Sequence, residues 1–162
     1  MSGVDILREE HEAIERELIE LEAIMGVKSI NYSNLIHVVK KITYLFDAHI
    51  HKEMDFFRGL EEQGVHTSLH EMGAQYLFLQ HNLQVLTRTM LSCSDCKTRA
   101  ALLKEGIAFI EKARAHMQEQ EWIFCALPES QLVELVPLAS MPPRVQHKDM
   151  ESYVLTVLHR NR

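Results

Sequence analysis

Leu45-Phe-Asp-Ala-His-Ile-His-Lys-Glu-Met-Asp-Phe-Phe57 decides the fold, because a histidine and a glutamate interrupt an apolar stripe without changing its period. Leu35, Val39, Ile42 and Phe46 lead into His49, Glu53, Phe56 and Leu60 in alternating steps of four and three. That spacing is the period of one helix face, so the imidazole and carboxylate occupy core positions one turn apart. A buried carboxylate is costly unless it is paired or bound to a metal. His and Glu at this spacing are compact N/O donors for first-row metals, which makes the other helices the place to look for matching ligands.

Working outward, the first helix is expected over about residues 4–25, with Leu7, His11, Ile14, Leu18, Leu21 and Met25 as its stripe. Gly26 breaks the pattern, and Asn31 or Ser33 can cap the second helix, which ends at Gly64. Ser68-Leu-His-Glu71 reads as a capping box for a third helix through Tyr76, Leu79, Leu83 and Leu86 to about Leu91. A fourth helix is expected over about residues 97–127, with Leu102, Ile107, Ile110, Ala113 and Met117 in the core and Pro128 as its stop. Tyr76 and Trp122 read as core residues. Four long helices with short connections predict an all-α, antiparallel up-down four-helix bundle over 1–127. Residues 128–162 read as a short helical C-terminal extension that packs on one end of the bundle or mediates a homodimer.

The chain has 162 residues, 46% of them hydrophobic, enough for one domain with a sizeable core. A formal charge of -6 argues against nucleic acid as a partner, since phosphate binding needs a basic face. No apolar run approaches a membrane span and the N-terminus lacks a signal-peptide apolar region, so the expected location is cytoplasmic, with no membrane partner. Three cysteines make no disulfide framework. Cys93-Ser-Asp-Cys96 has the spacing of a redox pair or half a zinc site, but with no second pair and no βαβ pattern the turn reading is favoured.

Two half-repeats emerge from the histidines. Gln80-His81 echoes Glu10-His11, and the segment from His116 to Phe124 echoes that from His49 to Phe57. Each hairpin thus offers one His from its first helix and a His with a carboxylate from its second, which is what a two-metal site inside a bundle requires. A depth count at about 1.5 Å per residue gives two estimates for the third helix. From the Gly64 turn, the level of His49 and Glu53 falls near Phe78 and favours His81. From the Cys93 turn, the level of His116 falls nearer Met72 and keeps His70 in play. Taken singly, each His is more often a satisfied core residue than a ligand, and His37, His51, His147 and His159 fall off the stripes or outside the bundle.

These residues carry a resemblance. With Glu10-His11, His49-x-x-x-Glu53 followed by Phe56-Phe57, His81, and His116 with Trp122-Ile-Phe124, the chain resembles the hemerythrin-like cation-binding (HHE) family over roughly residues 4–127. The resemblance implies a four-helix bundle with a non-haem di-iron centre, oxo- or hydroxo-bridged, that meets oxygen, nitric oxide or peroxide. Its ligands would be His11, His49, Glu53, His81, His116 and Glu121. Glu121 is chosen because oxygen-carrying members place an acidic residue five after the corresponding His, with Glu119 as fallback; Gln120 stands where a second His-x-x-x-Glu would end. Oxygen carriers also have two His four apart on the third helix, where this chain has Leu77 and Val85 around His81. Fewer ligands leave positions for water or an exogenous ligand, which favours sensing, stress response or redox activity over reversible oxygen carriage. Iron donation, repair or storage is the competing reading, and a structural bundle that binds nothing is the third.

Overall fold

The computed structural model describes residues 2–67, 69–92 and 96–127. Four helices account for nearly all of them: α1 (Gly3–Gly26), α2 (Tyr32–Glu62), α3 (Leu69–Leu91) and α4 (Cys96–Ala126). Each packs on two others, α1 on α2 and α4, and α3 on α2 and α4, in the ring of an up-down four-helix bundle. No helix among the described residues is long and apolar enough to cross a membrane.

Local chemistry sets the helix ends. Ser2 and Asp5 form a reciprocal capping box at the start of α1, and the Asn31 side chain accepts from the Asn34 N–H at the start of α2. At the end of α2, Gly64 takes φ +83°, its N–H donating to Glu61 O (2.9 Å) and the Val65 N–H to Leu60 O (3.0 Å). This is a Schellman closure, in which the left-handed residue is cheapest as glycine. The expected Ser68 cap, the Cys93 turn, the Pro128 stop and the 128–162 extension lie outside the described residues.

The core follows the expected stripes on α1 and α2: Leu7, His11, Ile14, Leu18, Leu21 and Met25, then Leu35, Val39, Ile42, Phe46, His49, Glu53, Phe56 and Leu60 are all buried. On α4 the expectation needs correcting. Ile107 is 51% exposed, and its place is taken by Gly106 and Phe109, whereas Leu102, Ile110, Ala113 and Met117 are buried as expected. Gly106 faces α1, where an added Cβ would collide with the end of the Met25 side chain. A stripe that passes through glycine is invisible to a hydrophobicity pattern. Trp122, expected in the core, is 68% exposed.

Candidate functional site

Six polar residues are buried among the described ones: His11, His49, Glu53, Asn82, His116 and Gln120. Five of them meet in one cluster, at the end of the bundle where α1 begins and α2 and α4 finish. Helical spacing positions them: His49 and Glu53 share a face of α2, His116 and Gln120 share a face of α4, and His11 replaces one apolar residue in the α1 stripe.

Each imidazole is anchored from outside through Nδ1. Carboxylates only accept, so His11 Nδ1–H donates to Glu121 Oε1 (3.1 Å) and His49 Nδ1–H to Glu10 Oε2 (3.1 Å). Gln75 on α3 gives its amide N–H to Glu119 Oε2 (2.6 Å), which turns Oε1 toward His116 Nδ1 (2.8 Å). Two anchors are themselves held by cations: Arg8 Nε pairs with Glu121 Oε2 (2.9 Å), and Lys52 pairs with Glu10. Burial alone would raise the Glu10 carboxyl, but the bonds from His49 and Lys52 overcome it and hold Glu10 below its ordinary value.

With Nδ1 protonated on all three rings, every Nε2 turns inward as a lone pair. His11 Nε2 lies 3.2 Å from His49 Nε2. Glu53 Oε2 stands 3.7 Å from His49 Nε2 and 3.4 Å from His116 Nε2, fully buried and without a hydrogen bond. Gln120 lies among them. Its amide N–H groups go to Glu53 Oε1 and to His116 Nε2 (2.7 Å), leaving Oε1 facing His11 Nε2 at 2.6 Å. Between His11, His49, Glu53 Oε2 and Gln120 Oε1, acceptors therefore meet acceptors. A positive charge placed among them, as a proton or a cation, would reconcile them. Burial, then the neighbouring His49 imidazole, push His11 below its ordinary value, which works against the proton.

A phenylalanine wall closes the end of the cluster. Phe124 stacks on His11 (centroids 6.0 Å) and on Phe57 (6.0 Å), and Phe56 meets it edge-on (5.8 Å). His49 and Glu53 are 0% and 1% exposed, so these donors are shielded from bulk solvent. His11 and His116 border two surface grooves, the first between α1 and α4 beside Arg8 and Arg114, the second between α3 and α4 beside Phe78 and Trp122.

Of the six residues expected as ligands, His11, His49, Glu53 and His116 are brought together. His81 is not: it is exposed on α3, because the inward positions there are Met72, Tyr76, Leu79, Leu83 and Leu86. His70, its alternative, is also exposed. The α3 residue at the level of His116 is Gln75, midway between the two depth estimates. Glu121 reaches the cluster only at His11 Nδ1, from outside, since it lies one residue beyond the inward-facing Gln120. Glu119 is exposed and holds Gln75. Gln120, read in the sequence as a missing carboxylate, is the hub. Tyr76 is buried near Asp47 instead, and burial followed by that carboxylate pushes its phenol up.

Among the described residues no group of three or more His, Cys, Asp and Glu side chains has the arrangement of a preformed metal site. The Gln120 amide occupies space among the donors. Neither a family model, a curated protein nor a solved structure matches the chain. The family resemblance therefore rests on the residues themselves.

Proposed function

We propose that the chain is a hemerythrin-like iron protein whose buried cluster meets oxygen, nitric oxide or peroxide, in a sensing or stress-response role. The observation that carries this reading is that the Nε2 atoms of His49 and His116 face a buried Glu53 oxygen that makes no hydrogen bond, while His11 Nε2 faces His49 Nε2 and Gln120 Oε1 with no donor between them. The donor set fits a first-row metal: neutral imidazoles and a carboxylate, each imidazole oriented by an outer acceptor. Iron held there would supply a redox-active Lewis acid with positions open to a small exogenous ligand.

The chain's own residues do the rest. Glu10, Glu121 and Gln75 fix the tautomers and ring orientations, so that donor atoms face inward before any ligand arrives. Glu53 supplies the one negative charge inside the cluster, and Phe56, Phe57 and Phe124 exclude water from its end. Location in the cytoplasm is part of the proposal, supported by the free, exposed Cys125 thiol.

The test is iron content of the purified protein together with optical spectra of the reduced form under air, peroxide and nitric oxide. The expected result is oxidation by air without a long-lived oxygen adduct, and spectral change with nitric oxide. A stable, reversible oxygen complex would restore carriage as the function, and ready loss of iron to apo-acceptors would favour iron donation. A second reading, a structural polar core that binds nothing, is favoured by the hydrogen bonds of Gln120. Absence of metal under every growth condition would establish it.

A further inference from the structure

We propose that the cluster takes one metal ion and not two, and that Gln120 sets this number. The inference rests on the metal-binding reading above and departs from the di-iron centre that the family resemblance implies.

The first argument is geometric. Ligands placed tetrahedrally about one ion at bond lengths of about 2.1 Å are separated by about 3.4 Å. The inward donor pairs stand at 3.2 Å (His11–His49), 3.4 Å (His116–Glu53) and 3.7 Å (His49–Glu53). Each of these three separations is the length of an edge of one coordination shell. Two metals about 3.5–4 Å apart need a donor set spread over both, and α3, the helix that would extend the set, turns no histidine inward.

The second argument is charge. Glu53 is the only buried carboxylate in the cluster, because Glu10 and Glu121 face the Nδ1 side and Glu119 faces Gln75. Three neutral imidazoles and one carboxylate leave a net charge of about +1 around one divalent ion and about +3 around two, and uncompensated charge in a buried site is strongly unfavourable.

The third argument concerns Gln120 itself. His116-x-x-x-Gln120 on α4 mirrors His49-x-x-x-Glu53 on α2, so the amide stands at the counterpart position to the one buried carboxylate. It brings no charge, and its N–H groups engage Glu53 Oε1 and His116 Nε2, donor atoms that a second ion would have to share. Glu53 Oε2 stays free for the first ion. Admission of that ion requires the amide to draw back from the donors, or to turn Oε1 toward the ion as a further ligand.

The experiment is an anaerobic Fe(II) titration of the full chain, with bound iron counted by mass spectrometry after desalting, repeated on Gln120→Glu and Gln120→Ala. The expected result is one iron per unmodified chain, two in Gln120→Glu, and one in Gln120→Ala. Circular dichroism establishes that each variant keeps its helices, and Gln120→Ala keeps the inference falsifiable should Gln120→Glu fail to fold, because iron above one per chain in Gln120→Ala contradicts the charge argument. Two irons in the unmodified chain would overturn the inference while leaving the metal reading intact. One iron in both the unmodified chain and a folded Gln120→Glu would overturn the assignment to Gln120. No iron in the unmodified chain would overturn the metal reading itself.

Discussion

The same four helices build two halves with opposite accounts. In one half the inward Leu21, Leu35, Ile42, Leu86 and Leu102 are apolar and fully buried, and burial itself is the stabilising term. In the other half, the same stripes carry His11, His49, Glu53, His116 and Gln120, whose burial costs free energy and whose inward acceptors oppose one another. Period and burial are alike in both. What differs is that one half is complete as it stands, whereas in the other the inward acceptors lack a donor. A helix pattern thus establishes where a residue faces, and only donor–acceptor accounting establishes what that position demands.

Substitutions can break this contrast or sharpen it. Leu86→Ala, at a 0% exposed position in the apolar half, is expected to cost about 2–5 kcal/mol in urea unfolding. It should leave iron content unchanged, and a lost metal would mean that the halves are not separable. The double replacement Glu53→Leu/Gln120→Leu should act in the opposite direction on the metal-free chain. It removes a buried carboxylate with an unpartnered oxygen together with the amide that donates to its other oxygen, and is expected to stabilise that form by about 1–4 kcal/mol while abolishing iron binding. Destabilisation of the metal-free chain by the double replacement would show that its polar network is self-sufficient.

Smaller effects mark the edges of the comparison. Gly106→Ala places a Cβ against the Met25 side chain. Overpacking costs about 1–3 kcal/mol and helix propensity returns about 1 kcal/mol, so a net loss of about 1 kcal/mol is expected, measured by the same unfolding. A net gain would mean that Met25 moves aside freely. His81→Ala, on the exposed face of α3, should change stability by no more than about 0.5 kcal/mol and should not change iron content. Loss of iron in that variant would return α3 to the ligand set.

The bundle was legible because its inward residues repeat at a helical period, and the polar members of α1, α2 and α4 keep that period. The placement of His11, His49, Glu53 and His116 could be read for the same reason. The local sequence of His81 resembles that of His11, but the α3 stripe of Tyr76, Leu79, Leu83 and Leu86 turns it outward. Spacing from His116 by analogy points to Glu121, yet the inward step of four points to Gln120, whose uncharged amide gives no ligand signal in a sequence. The outer anchors Glu10 and Gln75 depend on which helices are neighbours and on side-chain direction, which periodicity does not encode. Ile107 and Gly106 changed places for a related reason, since a glycine at a close approach looks like a gap.

Thermal unfolding of the full chain, metal-free and with anaerobic Fe(II), tests the central claim most directly. A ligand that binds only the folded state at about a hundredfold excess over its Kd adds about 2.7 kcal/mol. For a chain of this size that corresponds to a rise in Tm of roughly 5–10 °C. The account predicts such a rise in the unmodified chain and none in Glu53→Leu. An unchanged Tm in the unmodified chain, or an equal rise in both, would contradict it.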